Sequence, residues 1–130
     1  MPDLEIHLTP EQLDAAKQRH LAAGATRLLA DILRKRPEVT VVRLVATPAH
    51  AWSVAGGPLP QLGRAAFAEV KITQGSNTGE EKARFLAAFH ELLVDTVGPL
   101  AAPSYTVIHE VPAGDWGYDG LTQAQRGGRP

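Results

Sequence analysis

Cysteine is absent from this chain of 130 residues, which excludes disulfides, thiolate metal sites and cysteine nucleophiles. An excess of either charge is also missing, with 13 Lys and Arg against 14 Asp and Glu and a net charge of −1. A nucleic-acid binder normally gathers a basic excess on one face. Here the one basic cluster, Arg34-Lys35-Arg36, is short and reads as a positive helix end matched to the macrodipole. No apolar run approaches the ~20 residues of a membrane span, and the N-terminus has no basic-then-apolar signal pattern. There is no glycine-rich phosphate loop and no Gly-x-Ser-x-Gly elbow, which argues against nucleotide use and serine hydrolysis. No two of His7, His20, His50, His90 and His109 have helical i, i+4 spacing around a glutamate, so no metal site is expected. What is left fits a single cytoplasmic domain with no metal or nucleotide site, binding neither nucleic acid nor membrane.

What is present starts at Pro2. Methionine is readily removed before a small second residue, and the chain would then open on a secondary amine. An α-amino group ordinarily titrates at about 7.7–8.0. Modest desolvation or a nearby cation turns such a group into a neutral base near physiological pH. A ring-locked amine at the start of a strand can act as general base or nucleophile without spending another side chain.

Sliding the chain against itself by 64 residues aligns its halves without a gap. Pro48-Ala49-His50-Ala51-Trp52 falls on Pro112-Ala113-Gly114-Asp115-Trp116, Gly56 on Gly120, and Leu28-Leu29 on Leu92-Leu93. The two tryptophans of the chain are therefore equivalent, and an internal duplication is expected. Each half reads as strand, helix, strand. Leu4, Ile6 and Leu8 alternate with Asp3, Glu5 and His7 at period 2. Thr9-Pro10-Glu11-Gln12 has the form of a capping box and predicts a helix from about Pro10 to Arg34, with Gly24 a weak spot inside it. Val39 to Val45 predicts a second strand. In the second half, Ala68, Val70 and Ile72 alternate with polar residues, and Thr78-Gly79-Glu80-Glu81 opens a helix from Glu80 to Val97. Gly98-Pro99 stops that helix, and Tyr105 to Val111 is the last long strand.

Parallel strands joined by a helix form right-handed βαβ units. Two of them make an α/β (α+β) fold: one four-stranded sheet with both helices on one face. The expected organisation is one domain of repeats 2–57 and 66–122, with an irregular linker at 58–65. The uncovered sheet face carries Val41, Val45, Tyr105 and Val107, and packing it against other copies would bury it.

The chain resembles the tautomerase superfamily, in particular its 4-oxalocrotonate tautomerase group in a fused two-unit form. The resemblance rests on Pro2 opening the first strand and on Gly75-Ser76-Asn77-Thr78 leading into Glu80-Glu81-Lys82. It rests also on Glu110-Val111-Pro112-Ala113 followed by Trp116-Gly117-Tyr118-Asp119-Gly120, with Asp119 standing where the family has a glycine. It implies a cofactor-free keto–enol tautomerase acting on 2-hydroxydienoate or enolpyruvate-type acids. Pro2 would be general base and acid, a small-molecule carboxylate the substrate, and a homotrimer the assembly. Because Pro2 aligns with Ala66, three amine-bearing sites per trimer are expected. The family keeps arginines in the loop after the first strand and early in the second strand. Here those places hold Pro10-Glu11 or Ser76-Asn77, and Val41 or Tyr105. Arg43, on the same strand face as Val41, is the best substitute, with a salt bridge to Glu5, Glu69 or another acid at a subunit seam as its structural alternative. Lys71 is a weaker candidate cation. Trp116 matches the family's active-site aromatic, and Tyr105 and Asn77 could donate hydrogen bonds. The competing readings are a proline-dependent decarboxylase, hydratase or hydrolytic dehalogenase, and a duplicated fold kept only as an oligomeric binding protein.

Overall fold

Residues 2–60 and 63–127 are described by a computed structural model. Strand β1, Asp3–Leu8, shows why a two-residue period sets the architecture: Leu4, Ile6 and Leu8 are fully buried, and Asp3, Glu5 and His7 between them are not. The central partner, β3 (Ala66–Thr73), runs antiparallel to β1 and buries Ala68, Val70 and Ile72. Strand β2 (Val41–Ala46) lies parallel to β1, and β4 (Thr106–Val111) parallel to β3, giving the order β2-β1-β3-β4. Helix α1 (Ala15–Leu33) connects β1 to β2, and α2 (Gly79–Val97) connects β3 to β4. Both helices join the same core, in which Leu21, Leu29, Phe85 and Phe89 pack on the apolar sheet face. This is the mixed α+β fold expected, a four-stranded sheet covered by two helices.

The two helices are each 19 residues long, and their bounds differ by the 64-residue shift found in the sequence. Their strands pair in the same register: Asp3 faces Val41, and Ala68 faces Thr106. Glu5 faces Glu69 across the β1–β3 seam, so the two halves are related about that pair. The linker expected at 58–65 includes residues 61 and 62, which lie outside the described residues; its neighbours form neither strand nor α-helix.

Helix α1 begins five residues later than the capping pattern predicts. Gln12 Oε1 accepts from both the N–H and the hydroxyl of Thr9, at 2.9 and 2.7 Å, but these bonds close a short 3-10 turn at Pro10–Gln12. Asp14 is the N-cap of α1, accepting from the Lys17 backbone N–H at 2.8 Å. The second box, Thr78 with Glu81, does cap α2, one residue earlier than expected. Gly24 is not simply a weak point in the helix. A Cβ there would lie 2.8 Å from a Leu92 methyl, so the leucine of α2 packs directly on the glycine and would have to shift for any side chain there.

The open sheet face is less apolar than its edge valines suggest. Val41 and Tyr105 are exposed at opposite edges, but between them runs a ladder of charge. Arg43 bonds Asp3 at 2.8 Å and Glu5 at 3.3 Å, His7 meets Glu5 at 2.8 Å, and His109 meets Glu69 at 2.9 Å. No described helix is long and apolar enough to cross a membrane.

Candidate active site

Pro2 is buried at the entry to β1, where its missing N–H removes no ladder bond and its carbonyl accepts from Val41 N–H at 3.2 Å. It borders a cleft of about 550 Å³. Strand β2 contributes Val41 and Arg43 to this cleft, the turn before it contributes Glu38 and Val39, and β1 adds Asp3. The far wall is Trp116 and the hairpin after it, β5 (Gly117–Tyr118) and β6 (Leu121–Thr122).

The hairpin takes its shape from its turn residues. Asp119 and Gly120 both have positive φ, 52° and 80°, the backbone that a two-residue Asp-Gly hairpin loop requires. A Cβ on Gly117 would run into the Leu121 backbone, so only glycine lets these strands close. Beyond β6, the chain turns back and ties itself to the hairpin. Gln123 N–H donates to the Trp116 carbonyl and Ala124 N–H to Ala113, both at 2.8 Å.

Of the residues singled out from sequence, the structure brings Pro2, Arg43 and Trp116 to one cleft. Arg43 makes both its acid contacts through Nη2, so the salt bridge weighed as its structural alternative does form, with Asp3 as well as Glu5. The other three lie elsewhere. Tyr105 borders a separate cleft of about 330 Å³, together with Trp52, Ala66 and Phe67. Lys71 lies on the open sheet face, its Nζ 4.0 Å from Asp3, and does not line the Pro2 cleft. Asn77 caps the end of α1: its Nδ2 donates to the Leu33 carbonyl at 3.0 Å and to Glu81 at 3.3 Å.

The acids of the cleft were not among the residues singled out from sequence. Asp3, Glu38 and Asp119 all line it, against the one arginine. Asp3 was legible as the neighbour of Pro2, and Asp119 as a departure from the family's hairpin. Glu38 had no signal, since it lies in the short 3-10 turn Pro37–Val39 between the expected helix and the expected strand. Tyr118 was also passed over, and it lines the same wall.

The two clefts correspond under the 64-residue shift. Pro2 answers to Ala66, Asp3 to Phe67, Val41 to Tyr105, and Trp116 to Trp52. Their hairpins match too, since Val54 bridges Gly57 as Tyr118 pairs with Leu121, and Ala55 and Gly56 repeat the positive φ values of Asp119 and Gly120. They differ at the tryptophan. Trp52 Nε1 donates to the Thr47 carbonyl at 3.1 Å, whereas Trp116 Nε1 is buried without an acceptor. The carbonyl equivalent to Thr47 is Val111, which already accepts from Gln74 N–H; Gln74 aligns with Pro10, which has no N–H to give.

Among the described residues, no cluster of histidine and acid side chains could hold a metal ion. One ionisable group outside the cleft is strongly shifted. Lys35, 2% exposed, has its ammonium brought down from 10.5 to about 8, chiefly by burial and further by Arg34, with Glu110 acting in opposition. Its Nζ donates to Ser76 Oγ at 2.8 Å.

Comparison with known proteins agrees with this fold. The family described as tautomerase enzyme matches residues 67–126. A probable tautomerase of Dickeya dadantii (strain 3937) is 35% identical over 60 residues, which are 46% of this chain and 90% of that relative. The crystal structure of a native fused 4-OT superposes with a TM-score of 0.81 at 25% identity, covering 96% of this chain and 98% of that one. A fused 4-OT solved as an asymmetric trimer gives 0.82 at 21% identity with the same coverage. A member of the cis-3-chloroacrylic acid dehalogenase family shares the fold as well, with a TM-score of 0.79 at 19% identity over 92% of this chain and 82% of that one. The chain belongs to the tautomerase family.

Proposed function

We propose that this protein is a cofactor-independent keto–enol tautomerase of 2-hydroxydienoate or enolpyruvate-type acids. Pro2, freed by removal of Met1, carries the proton. The observation that carries the reading is the placing of Pro2 in one cleft with Arg43 and Trp116. In this mechanism the amine takes the hydroxyl proton of the enol and returns it to carbon. The two Arg43 nitrogens without acid contacts face the substrate carboxylate or the developing enolate. Trp116 forms the apolar wall that lowers the local dielectric. The chain acts as a duplicated pair of βαβ units, and three chains assemble as the fused 4-OT trimers do, covering the open sheet face and giving three amine-bearing sites.

Intact-mass analysis combined with a phenylenolpyruvate ketonisation assay tests this reading. The native protein is expected to lack Met1, and Pro2→Ala to lose at least about a hundredfold in kcat/KM, as for removal of a general base. Retained Met1 would leave Pro2 an amide with no basic nitrogen, and undiminished activity in Pro2→Ala would sink the assignment.

The acids of the cleft support a second reading, addition of water to an unsaturated acid. Carboxylates at Asp3, Glu38 and Asp119 favour a protonated Pro2, which would then act as acid while one of them activates water. The pH dependence of kcat/KM separates the two. A prolyl base loses activity as pH falls through its pKa, and a prolinium acid loses it as pH rises.

A further inference from the structure

We propose that Arg126 is a positioning residue for the substrate pocket, holding Tyr118 in place as part of the wall facing Pro2. Its guanidinium carbon lies 3.8 Å from the centroid of the Tyr118 ring, and its Nη2 donates to the Tyr118 carbonyl at 3.0 Å. One side chain thus grips both the ring and the backbone of a residue that lines the cleft. Arg126 makes no ion pair among the described residues, so no acid draws it away from the tyrosine.

The surroundings make this grip matter. The hairpin is only two residues deep on each strand, and its turn carries Asp119 at positive φ. Polar bonds within the wall are incomplete, since Trp116 Nε1, Gln123 Oε1 and Arg126 Nε are buried without partners. The returning tail holds its own shape through Thr122 and Gln125, whose side chains cap each other's backbone N–H groups at 2.8 and 3.0 Å. That small turn delivers Arg126 to the ring, where Arg126 N–H is bonded to the carbonyls of Thr122 and Gln123. Among the described residues the other half shows no such device, and 64 residues earlier the sequence places Leu62. The asymmetry follows the chemistry: the clamped hairpin faces the amine, and the hairpin without an arginine faces Ala66.

This inference rests on Pro2 being the reacting group, so its test includes a readout independent of turnover. A cation stacked on a ring and bonded to the same residue's carbonyl supports a loss of about tenfold when it is removed. Arg126→Leu is expected to lower kcat/KM for phenylenolpyruvate by about that factor, mostly through KM, with Arg126→Lys falling between it and wild type. Tyr118→Ala is expected to give a similar loss, and the double variant to be no worse than the poorer single one. Phenylpyruvate binding, followed by tryptophan fluorescence, should weaken by the same factor when Arg126→Leu is made in a Pro2→Ala background. Losses that multiply to about a hundredfold in the double variant would overturn the proposal. So would unchanged phenylpyruvate binding in both Arg126 variants.

Discussion

Replacing Lys35 by methionine isolates the energy of one buried charge. The lysine is 2% exposed, and its ammonium titrates at about 8 instead of 10.5. Each pKa unit corresponds to ~1.36 kcal/mol, so the shift amounts to about 3 kcal/mol between the protonation states. The sign follows from proton binding. Below pH 8 both folded and unfolded chains hold the proton, and the folded state bears the whole burden of burying it. Between about 8 and 10.5 the unfolded chain holds the proton more often than the folded one, so stability from this group rises with pH. It is complete above 10.5 and lost as pH falls to 8. Methionine fills similar space without a charge. Ser76 Oγ keeps its bond to the Thr73 carbonyl, and Glu110 keeps Lys82 at 3.0 Å. Urea unfolding of both proteins at one fixed concentration, from pH 7 to 10.5, is the assay. The advantage of Lys35→Met over wild type should shrink by about 3 kcal/mol across that range. A difference that stays flat with pH would refute the desolvation argument, whatever its size at neutrality.

Other substitutions test other links of the structure. Asn77→Ala should cost about 1 kcal/mol in urea unfolding without altering kcat, because it uncaps Leu33 and lies outside the Pro2 cleft; a selective loss of activity would restore Asn77 to the site. Ala55→Gly should stabilise by up to about 1 kcal/mol, since φ of 55° strains any residue with a Cβ. Phe89→Ala, emptying the centre of the core beneath both helices, should cost about 3–5 kcal/mol; a loss below 1 would mean that the helices collapse around the space.

The fold was legible because its determinants are local and repeated. Leu4, Ile6 and Leu8 declare a one-sided strand, and Thr78 with Glu81 declares a helix start. The 64-residue match says that the scheme occurs twice. The start of α1 was misplaced because Thr9 and Gln12 do bond to each other where the sequence suggests, and no local pattern says whether one turn or five will follow. At the candidate site, the three residues that come to line one cleft, Pro2, Arg43 and Trp116, were legible by type and order. Tyr105 borders the other cleft, because a strand residue's face can be read from alternation but its neighbours across the fold cannot. Asn77 was misread for a related reason, its partner Leu33 being far away in sequence. The acids went unnoticed because an exposed Glu38 is ordinary until the hairpin arrives opposite it.

Ala66 sits at the start of β3, in the middle of the chain. Its nitrogen is therefore a peptide nitrogen whatever side chain stands there. Restoring proline at that position would supply the ring but not the lone pair, so no point mutation can give the second cleft a prolyl base. Covalent continuity alone denies it this chemistry, and only a cut before residue 66 could return it. On the proposed mechanism that half is under no pressure to keep a reaction's charged groups, which fits Phe67 and Val107 standing where its counterpart has Asp3 and Arg43.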